Sequence, residues 1–167
     1  MNDNFNSTGH ENAMSLRARD IMTRRQPTLT PEMDVYAAAD LIVTQRLEGA
    51  SVVDERGALV GVLTEKDCIS ALTRPLVDRV PLATVADVMS RDVYSIAEDI
   101  SFLTIANVFA HKPYRWLPVI RHDGVVVGCV GRREILRAMI GAMRVQPGYG
   151  ASFLYLSAVE SGPVLAI

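Results

Sequence analysis

The sequence repeats its own pattern of key residues after 67 positions, and this internal duplication constrains the fold more than any other feature. The segment Asp20-Ile21-Met22-Thr23 returns as Asp87-Val88-Met89-Ser90, and Gly61 returns as Gly128, without an insertion or a deletion. Two half-size units that share a core have a different architecture from one continuous domain. The duplication therefore predicts two similar units packed against each other.

Each unit is predicted to contain a helix, two strands and a second helix. In the first unit, Thr30-Pro31-Glu32 predicts a helix start, because it combines a capping hydroxyl, a proline at the first helical position and an acid in the first turn. Apolar residues then recur at helical spacing, and Gly49 is expected to end this helix. The predicted elements are a helix over 33–46, strands over 51–54 and 58–63 and a helix over 64–73, followed in the second unit by a helix over 99–112, strands over 117–121 and 125–130 and a helix over 132–143.

Composition marks the segments outside these elements. Residues 1–14 are polar, rich in asparagine and without periodicity, which predicts a disordered lead-in. The first unit covers 15–74 and the second covers 84–143, and residues 75–83, with two prolines, are predicted to connect them. Thr84 is expected to cap a short helix over 85–89. The tail 144–167 contains a candidate strand at 153–156, and its apolar character favours packing against this molecule or a second copy.

Charge and hydropathy argue against several classes of function. A formal net charge of -2, from 17 basic and 19 acidic residues, lacks the basic footprint of a protein that binds nucleic acid. No apolar run approaches the roughly 20 residues of a membrane-spanning helix, and the polar start is unlike a signal peptide. We therefore predict a cytoplasmic globular protein that contacts no membrane.

The sequence shows neither a recognisable catalytic motif nor a metal site. Cys68 and Cys129 lie outside any CxxC motif and are expected to be small buried hydrophobic residues. The histidines, His10, His111 and His122, are not spaced as metal ligands, and no serine or cysteine nucleophile is visibly matched with a base. The chain is therefore predicted not to be an enzyme and to require no cofactor or metal.

The junction Gly61-Val62-Leu63-Thr64-Glu65-Lys66-Asp67 has two interpretations. A threonine followed three residues later by an acid is typical of a capping box, in which both side chains satisfy amide donors at a helix N-terminus. The alternative is that the same hydroxyl and carboxylate hold a ligand. The tetrapeptide that begins at Thr64 leaves both interpretations open.

The duplicated D-h-M-T/S segment, the strand ending in D-x-x-G and the G-h-h-T-x-x-D junction together resemble the cystathionine-β-synthase (CBS) domain in its usual tandem pair, over residues 18–142. This resemblance implies a mixed α/β (α+β) fold, in which each repeat is a small three-stranded sheet with two packing helices. A pseudo-twofold axis would relate the repeats and leave two clefts between them. Similar proteins commonly bind adenosine derivatives in these clefts, such as AMP, ADP, ATP or S-adenosylmethionine.

The resemblance also implies roles for particular residues. Asp67 would accept hydrogen bonds from the ribose hydroxyls, and Thr64 would contact the ribose or a phosphate, since a helix N-terminus favours an anion. Thr28 and the segment Gly49-Ala50-Ser51 match positions that line the adenine pocket in similar proteins. For Thr28, an exposed threonine at a strand end is an equally good interpretation.

The second repeat departs from this pattern. Gly131 and Glu134 replace the threonine and the aspartate, which still allows a helix start but removes the ligand chemistry of the family. Arg132 and Arg133 are candidate phosphate contacts for a ligand in the first cleft, because arginine binds phosphate in a bidentate manner, although a solvated pair is the simpler interpretation. The basic and aromatic segment 112–116 is interpreted as structural, with Trp116 covering the sheet edge.

Two functions of different classes are consistent with these features. The first is a regulatory module that senses an adenosine derivative and passes a change in shape to a partner, which is another protein regulated in trans or a second copy. The alternative is a ligand-free dimerisation or scaffold module, in which Thr64 and Asp67 only cap a helix. The apolar helices over 33–46 and 99–112 predict a homodimer in either case.

Overall fold

Helices and strands follow in the same order in both units of the chain. The structure, a computed structural model, describes residues 15–78 and 81–144, so the predicted lead-in at 1–14 and the predicted strand at 153–156 lie outside the described residues. The first unit contains α1 (Ala18–Ile21), α2 (Val35–Thr44), β1 (Gly49–Val53), β2 (Leu59–Thr64) and α3 (Glu65–Asp78). The second contains α4 (Val85–Val88), β3 (Ile96–Ala97), α5 (Phe102–His111), β4 (Trp116–Ile120), β5 (Val126–Gly131) and α6 (Arg132–Arg144).

Each unit contains a small sheet built around an antiparallel hairpin. In the second unit β3 pairs in parallel with β4, and β4 pairs with β5, which makes three strands. In the first unit the third strand is reduced to one parallel bridge between Leu29 and Val52, beside the β1–β2 hairpin. The mixed α/β fold with small sheets and two repeats is confirmed.

The two hairpins join at their turns. Gly57 and Gly124 both have a positive φ, near +80°, which glycine adopts without steric cost. The Leu59 amide donates to the Gly124 carbonyl over 3.1 Å, and the Val126 amide donates to the Gly57 carbonyl over 3.0 Å. Each turn therefore supplies a backbone acceptor to the other unit, in the reciprocal arrangement expected of a pseudo-twofold axis.

The short helix at the start of each unit packs into the other unit. The Ala18 amide of α1 donates to the Ile100 carbonyl over 2.9 Å, and the equivalent Val85 amide of α4 donates to the Met33 carbonyl over 2.8 Å. The hydrophobic core of each unit likewise contains residues from the short helix of the other unit, and we call this arrangement the exchange of α1 and α4. The core of the first unit contains Leu29, Ala38, Ile42, Ala50, Val52, Leu63, Cys68, Val85 and Met89, and the core of the second contains Ala18, Met22, Ile96, Ile105, Leu117, Val119, Val130 and Ile135.

The predicted start of α2 is wrong. The helix begins at Val35 and not after Thr30-Pro31-Glu32, and the Asp34 carboxylate accepts from the Ala37 amide over 2.9 Å as its cap. The earlier residues instead form a turn whose Pro31 carbonyl accepts a hydrogen bond from the Ala86 amide of the other unit. The predicted start of α5 is corrected in the same way, because Ser101, 67 positions after Asp34, caps it.

Two predicted helix ends are also wrong. The helix α2 ends at Thr44, where Arg46 takes a positive φ of 54°, and Gly49 begins β1. Gly49 is required there for another reason: a Cβ at this position would lie 2.7 Å from the Leu63 carbonyl oxygen of the neighbouring strand. The helix α3 does not stop near Thr73 but continues through Pro75 into the predicted connector. Proline removes one helical hydrogen bond without removing those of the following turn.

Candidate functional site

The β2–α3 junction forms a closed capping box. The Thr64 hydroxyl donates to Asp67 Oδ2 over 2.7 Å, and the Thr64 amide donates to the same oxygen over 2.9 Å. The Asp67 amide donates to the Thr64 hydroxyl oxygen over 3.3 Å. The capping interpretation of this motif is therefore confirmed, and the ligand role of the two side chains stays a prediction.

Other helix starts also have an acid three residues after the cap that accepts from the cap's amide. At the start of α4, the Thr84 hydroxyl and amide donate to Asp87 Oδ2 over 2.7 and 2.9 Å, distances equal to those at Thr64. At the start of α6, the Gly131 amide donates to Glu134 Oε2 over 3.0 Å, so the lengthened acid still caps although no hydroxyl is present. These junctions provide matched comparisons, because they share the capping geometry and differ in their surroundings.

Only the Thr64 junction, of these three, lines a large cleft. The cleft has a volume of about 610 Å³ and lies between the β2–α3 junction of the first unit and two loops of the second. Ligand pockets in proteins commonly measure roughly 300–1,000 Å³. The residues lining it are Glu48, Val62, Thr64, Glu65, Lys66, Ile69, Ser70, Ser90, Asp92, Val93, Tyr94, Pro113, Tyr114, Arg115, Trp116, Leu117 and Pro118.

Aromatic side chains form one wall of this larger cleft. The rings of Tyr94 and Tyr114 stack with their centroids 5.3 Å apart and their planes inclined by 21°. Trp116 is half-buried at the start of β4 and lines the same cleft. The structural interpretation of segment 112–116 is therefore incomplete, because four of its residues line the cleft. The mixture of basic and aromatic residues in that segment was the signal that could have identified them.

The second cleft is much smaller and contains two of the other predicted site residues. It has a volume of about 40 Å³ and is lined by Thr28 and Ser51 together with Arg24, Gln26, Pro27, Val126, Val127 and Gly128. Gly49 and Ala50 are buried in β1 and line neither cleft. Gly49 pairs with Thr64 across the hairpin, and Gln26 Nε2 donates to the Gly49 carbonyl over 3.2 Å. Thr28 and Ser51 therefore line a different cavity from Thr64, and the ligand role of Thr28 and of the segment 49–51 stays a prediction.

The exchange of α1 and α4 explains why the predicted site residues of one repeat line different clefts. Each cleft combines the second hairpin strand of one unit with segments of the other. The larger contains Thr64 and Trp116, and the smaller contains Gly128 and Ser51. Residues that are close along one repeat therefore face opposite clefts. The residues that face Thr64 across the cleft belong to the second unit. They lie 67 positions after the residues of the first unit that a single repeat would place there.

The candidate phosphate contacts lie beside the larger cleft and not among the residues that line it. Arg132 Nε donates to the Tyr114 carbonyl over 3.0 Å, and the Arg132 amide donates to the Arg115 carbonyl over 3.2 Å. Arg132 thus supports the loop that carries the aromatic wall, and Arg133 is exposed on α6. Lys66 and Arg115 are the cations that line the cleft, and sequence reasoning missed both in that role.

The cysteines show no sign of reactivity. Burial raises the pKa of the Cys129 thiol to about 12, and burial together with the neighbouring Asp67 carboxylate raises the pKa of the Cys68 thiol. Both thiols are therefore protonated near neutral pH, and a protonated thiol is a poor nucleophile. Across residues 15–78 and 81–144, no three metal-ligating side chains gather as a site, and no helix has the length and apolarity to cross a bilayer.

Comparison with known proteins identifies relatives over most of the chain. The sequence model of the CBS domain matches residues 18–74 and 85–141. An uncharacterised 17.7 kDa protein of Acidianus ambivalens is 25% identical over 135 residues, which cover 81% of this chain and 80% of that protein. The inosine-5'-monophosphate dehydrogenase of Nitrosopumilus maritimus is 24% identical over 71% of this chain, but this region is only 23% of the enzyme.

Two similar solved structures contain adenosine compounds. Arabidopsis thaliana CBSX2 in complex with AMP is 25% identical, with a TM-score of 0.66 over 74% of this chain and 96% of that one. The CBS domain pair of protein MJ0100, in complex with 5'-methylthioadenosine and S-adenosyl-L-methionine, is 26% identical, with a TM-score of 0.62 over 75% of this chain and 97% of that one.

Proposed function

We infer, since this chain belongs to the CBS domain family, that it is a non-catalytic regulatory module that binds an adenosine derivative in the larger cleft. The observation that carries this proposal is the coincidence of one large cavity with the one complete G-h-h-T-x-x-D junction. The smaller cleft lies beside the degenerate junction and has about 40 Å³, so it is not part of the proposal.

The lining of the larger cleft suits an adenosine. The Tyr94–Tyr114 pair and Trp116 offer aromatic surface for the base, and stacking of a base on such rings contributes roughly 1–3 kcal/mol. The Thr64 hydroxyl is half-buried at the cleft, and its partner Asp67 has every described hydrogen bond on Oδ2. We propose that Oδ1 accepts a ribose hydroxyl, and that the Thr64 hydroxyl turns from Asp67 to the ligand.

The position of the cleft supports a regulatory role. A ligand that contacts Thr64 and Trp116 contacts both units at once, because these residues belong to different repeats. A ligand shifts a conformational equilibrium when it binds one arrangement of the units more tightly than another. We propose that this shift is passed to a second copy or to a separate protein regulated in trans.

Binding is tested by thermal unfolding of the whole chain with AMP, ADP, ATP, S-adenosylmethionine and 5'-methylthioadenosine, and with guanosine as the control. At a tenfold excess over its dissociation constant, a ligand specific for the native state stabilises it by about 1.4 kcal/mol. We expect a rise in melting temperature with at least one adenosine compound and none with guanosine. Unchanged melting with all of them at millimolar concentration would instead favour the ligand-free scaffold.

Exposed apolar side chains on the helices support a homodimer. Val43 on α2 is 71% exposed and Leu136 on α6 is 56% exposed, and Leu76, Val77, Leu103, Ile140 and Met143 are also exposed. Exposed apolar side chains mark an interaction site where they form a contiguous surface, and we propose that these residues do so. Light scattering is expected to give the mass of two chains at micromolar concentration, and Val43→Asp with Leu136→Asp is expected to give one. Arg56→Asp, at a hairpin turn, should leave the dimer intact, and a monomeric wild type would contradict the proposal.

A further inference from the structure

The charges around the larger cleft point to a particular class of adenosine ligand. The lining contains two cations, Lys66 and Arg115, and three carboxylates, those of Glu48, Glu65 and Asp92. All five of these side chains belong to exposed residues. The formal charge of the lining is therefore -1, which is unfavourable for a polyanion. A phosphate ester alone carries about -1.5 to -2, and a triphosphate carries more.

The N-terminus of α3 provides little compensation for a phosphate. Such termini bind anions through unpaired backbone amides. Here the Thr64 amide donates to Asp67 Oδ2, the Asp67 amide donates to the Thr64 hydroxyl oxygen, and the Glu65 amide donates to the Glu48 carbonyl over 3.3 Å. A phosphate beside Thr64 would therefore meet a carboxylate that already accepts from the Thr64 amide and hydroxyl.

The rest of the lining suits a group without phosphate. Val62, Ile69 and Val93 are apolar, and the aromatic wall is formed by Tyr94, Tyr114 and Trp116. Apolar and aromatic surface accommodates a neutral thioether at the 5' position. It also accommodates a sulfonium, whose positive charge is attracted by the formal negative charge of the lining.

Building on the proposed function, we propose that the larger cleft selects phosphate-free adenosyl compounds, namely 5'-thioethers and sulfonium derivatives, over adenosine polyphosphates. Charge sets the order of affinity in this site: S-adenosylmethionine and 5'-methylthioadenosine bind most tightly, AMP binds less tightly and ATP binds most weakly. The base and ribose contacts are common to all four compounds, so the differences come from the 5' substituent.

Calorimetric titration of the whole chain with these four compounds tests the selectivity. We expect 5'-methylthioadenosine and S-adenosylmethionine to bind at least about tenfold more tightly than ATP at low salt, where charge repulsion is least screened. Glu65→Gln combined with Asp92→Asn turns the lining charge from -1 to about +1 and is expected to narrow that ratio to about threefold or less. The matched control is Asp40→Asn combined with Glu55→Gln, which makes the same change of net charge on exposed residues away from the cleft.

The possible outcomes separate this inference from the proposed function. Binding of ATP as tight as that of 5'-methylthioadenosine would overturn the selectivity and leave adenosine binding intact. An equal change of the ratio in the control variant would also overturn it, because the effect would then come from net charge and not from the lining. Binding of none of the four compounds would overturn both proposals.

Discussion

Asp67→Ala is expected to weaken adenosine binding by at least about tenfold, and by roughly a hundredfold if both ribose hydroxyls donate to this carboxylate. The physical reason is the loss of hydrogen bonds to a charged acceptor, each worth about 1.5–3 kcal/mol. The substitution also removes the cap of α3, because Asp67 Oδ2 accepts from the Thr64 amide and hydroxyl. Calorimetric titration with the tightest ligand of the panel measures the affinity, and melting curves measure the loss of stability.

Two other acids separate ligand binding from capping. Asp87 accepts from the Thr84 amide and hydroxyl over the same 2.9 and 2.7 Å, and Glu134 accepts from the Gly131 amide over 3.0 Å. The capped residues Thr84 and Gly131 do not line the larger cleft, whereas Thr64 does. Asp87→Ala and Glu134→Ala should each cost about 1 kcal/mol of stability and leave affinity unchanged. An Asp67→Ala protein that binds as tightly as the wild type would eliminate Asp67 from the site, and the capping box would be its whole role.

Leu63→Ala is expected to lower the free energy of unfolding by about 2–5 kcal/mol, because it opens a cavity in a packed core. Leu63 has 0% exposure and belongs to the core that contains Leu29, Val52 and the exchanged Val85. The free energy of unfolding of a domain is commonly about 5–15 kcal/mol, so the loss is a large fraction of its stability. Urea unfolding measures the difference in the free energy of unfolding, provided that its dependence on urea concentration has the same slope in both proteins.

An exposed leucine provides the control for this substitution. Leu82 is 46% exposed between the two units, and Leu82→Ala should change stability by about 0.5 kcal/mol or less. A Leu63→Ala protein that unfolds within 1 kcal/mol of the wild type would contradict the shared core described above. If Leu63→Ala does not fold, Leu63→Val provides a smaller deletion at the same position, with an expected cost of about 1 kcal/mol.

Local features could be predicted from the sequence because they depend on neighbouring residues. The hairpin turn at Gly57 follows from a glycine that tolerates positive φ, and its copy at Gly124 has the same conformation. The capping box at Thr64 and Asp67 follows from two side chains three residues apart at a helix start. Short-range geometry of this kind needs no knowledge of the rest of the fold.

Competing local signals could not be ranked from the sequence. Thr30-Pro31-Glu32 and Asp34 both have the properties of a helix start, and the helix begins after Asp34 because the Pro31 and Met33 carbonyls accept hydrogen bonds from α4 of the other unit. Pro75 was expected to end α3, but the helix continues to Asp78. At the start of α2, hydrogen bonds to the other unit therefore determined which of the two possible helix starts is used.

The sequence by itself determined that the chain is duplicated, that each copy contains a hairpin followed by a capped helix, and that Thr64 and Asp67 have no equivalent hydroxyl and aspartate in the second copy. These conclusions depend on residue type and spacing along one repeat. Only the tertiary structure decided which copy completes each cleft. The exchange of α1 and α4 brings Trp116 of the second unit beside Thr64 and leaves Ser51 with Gly128, because the hydrogen bonds and core contacts that join the units cross between them.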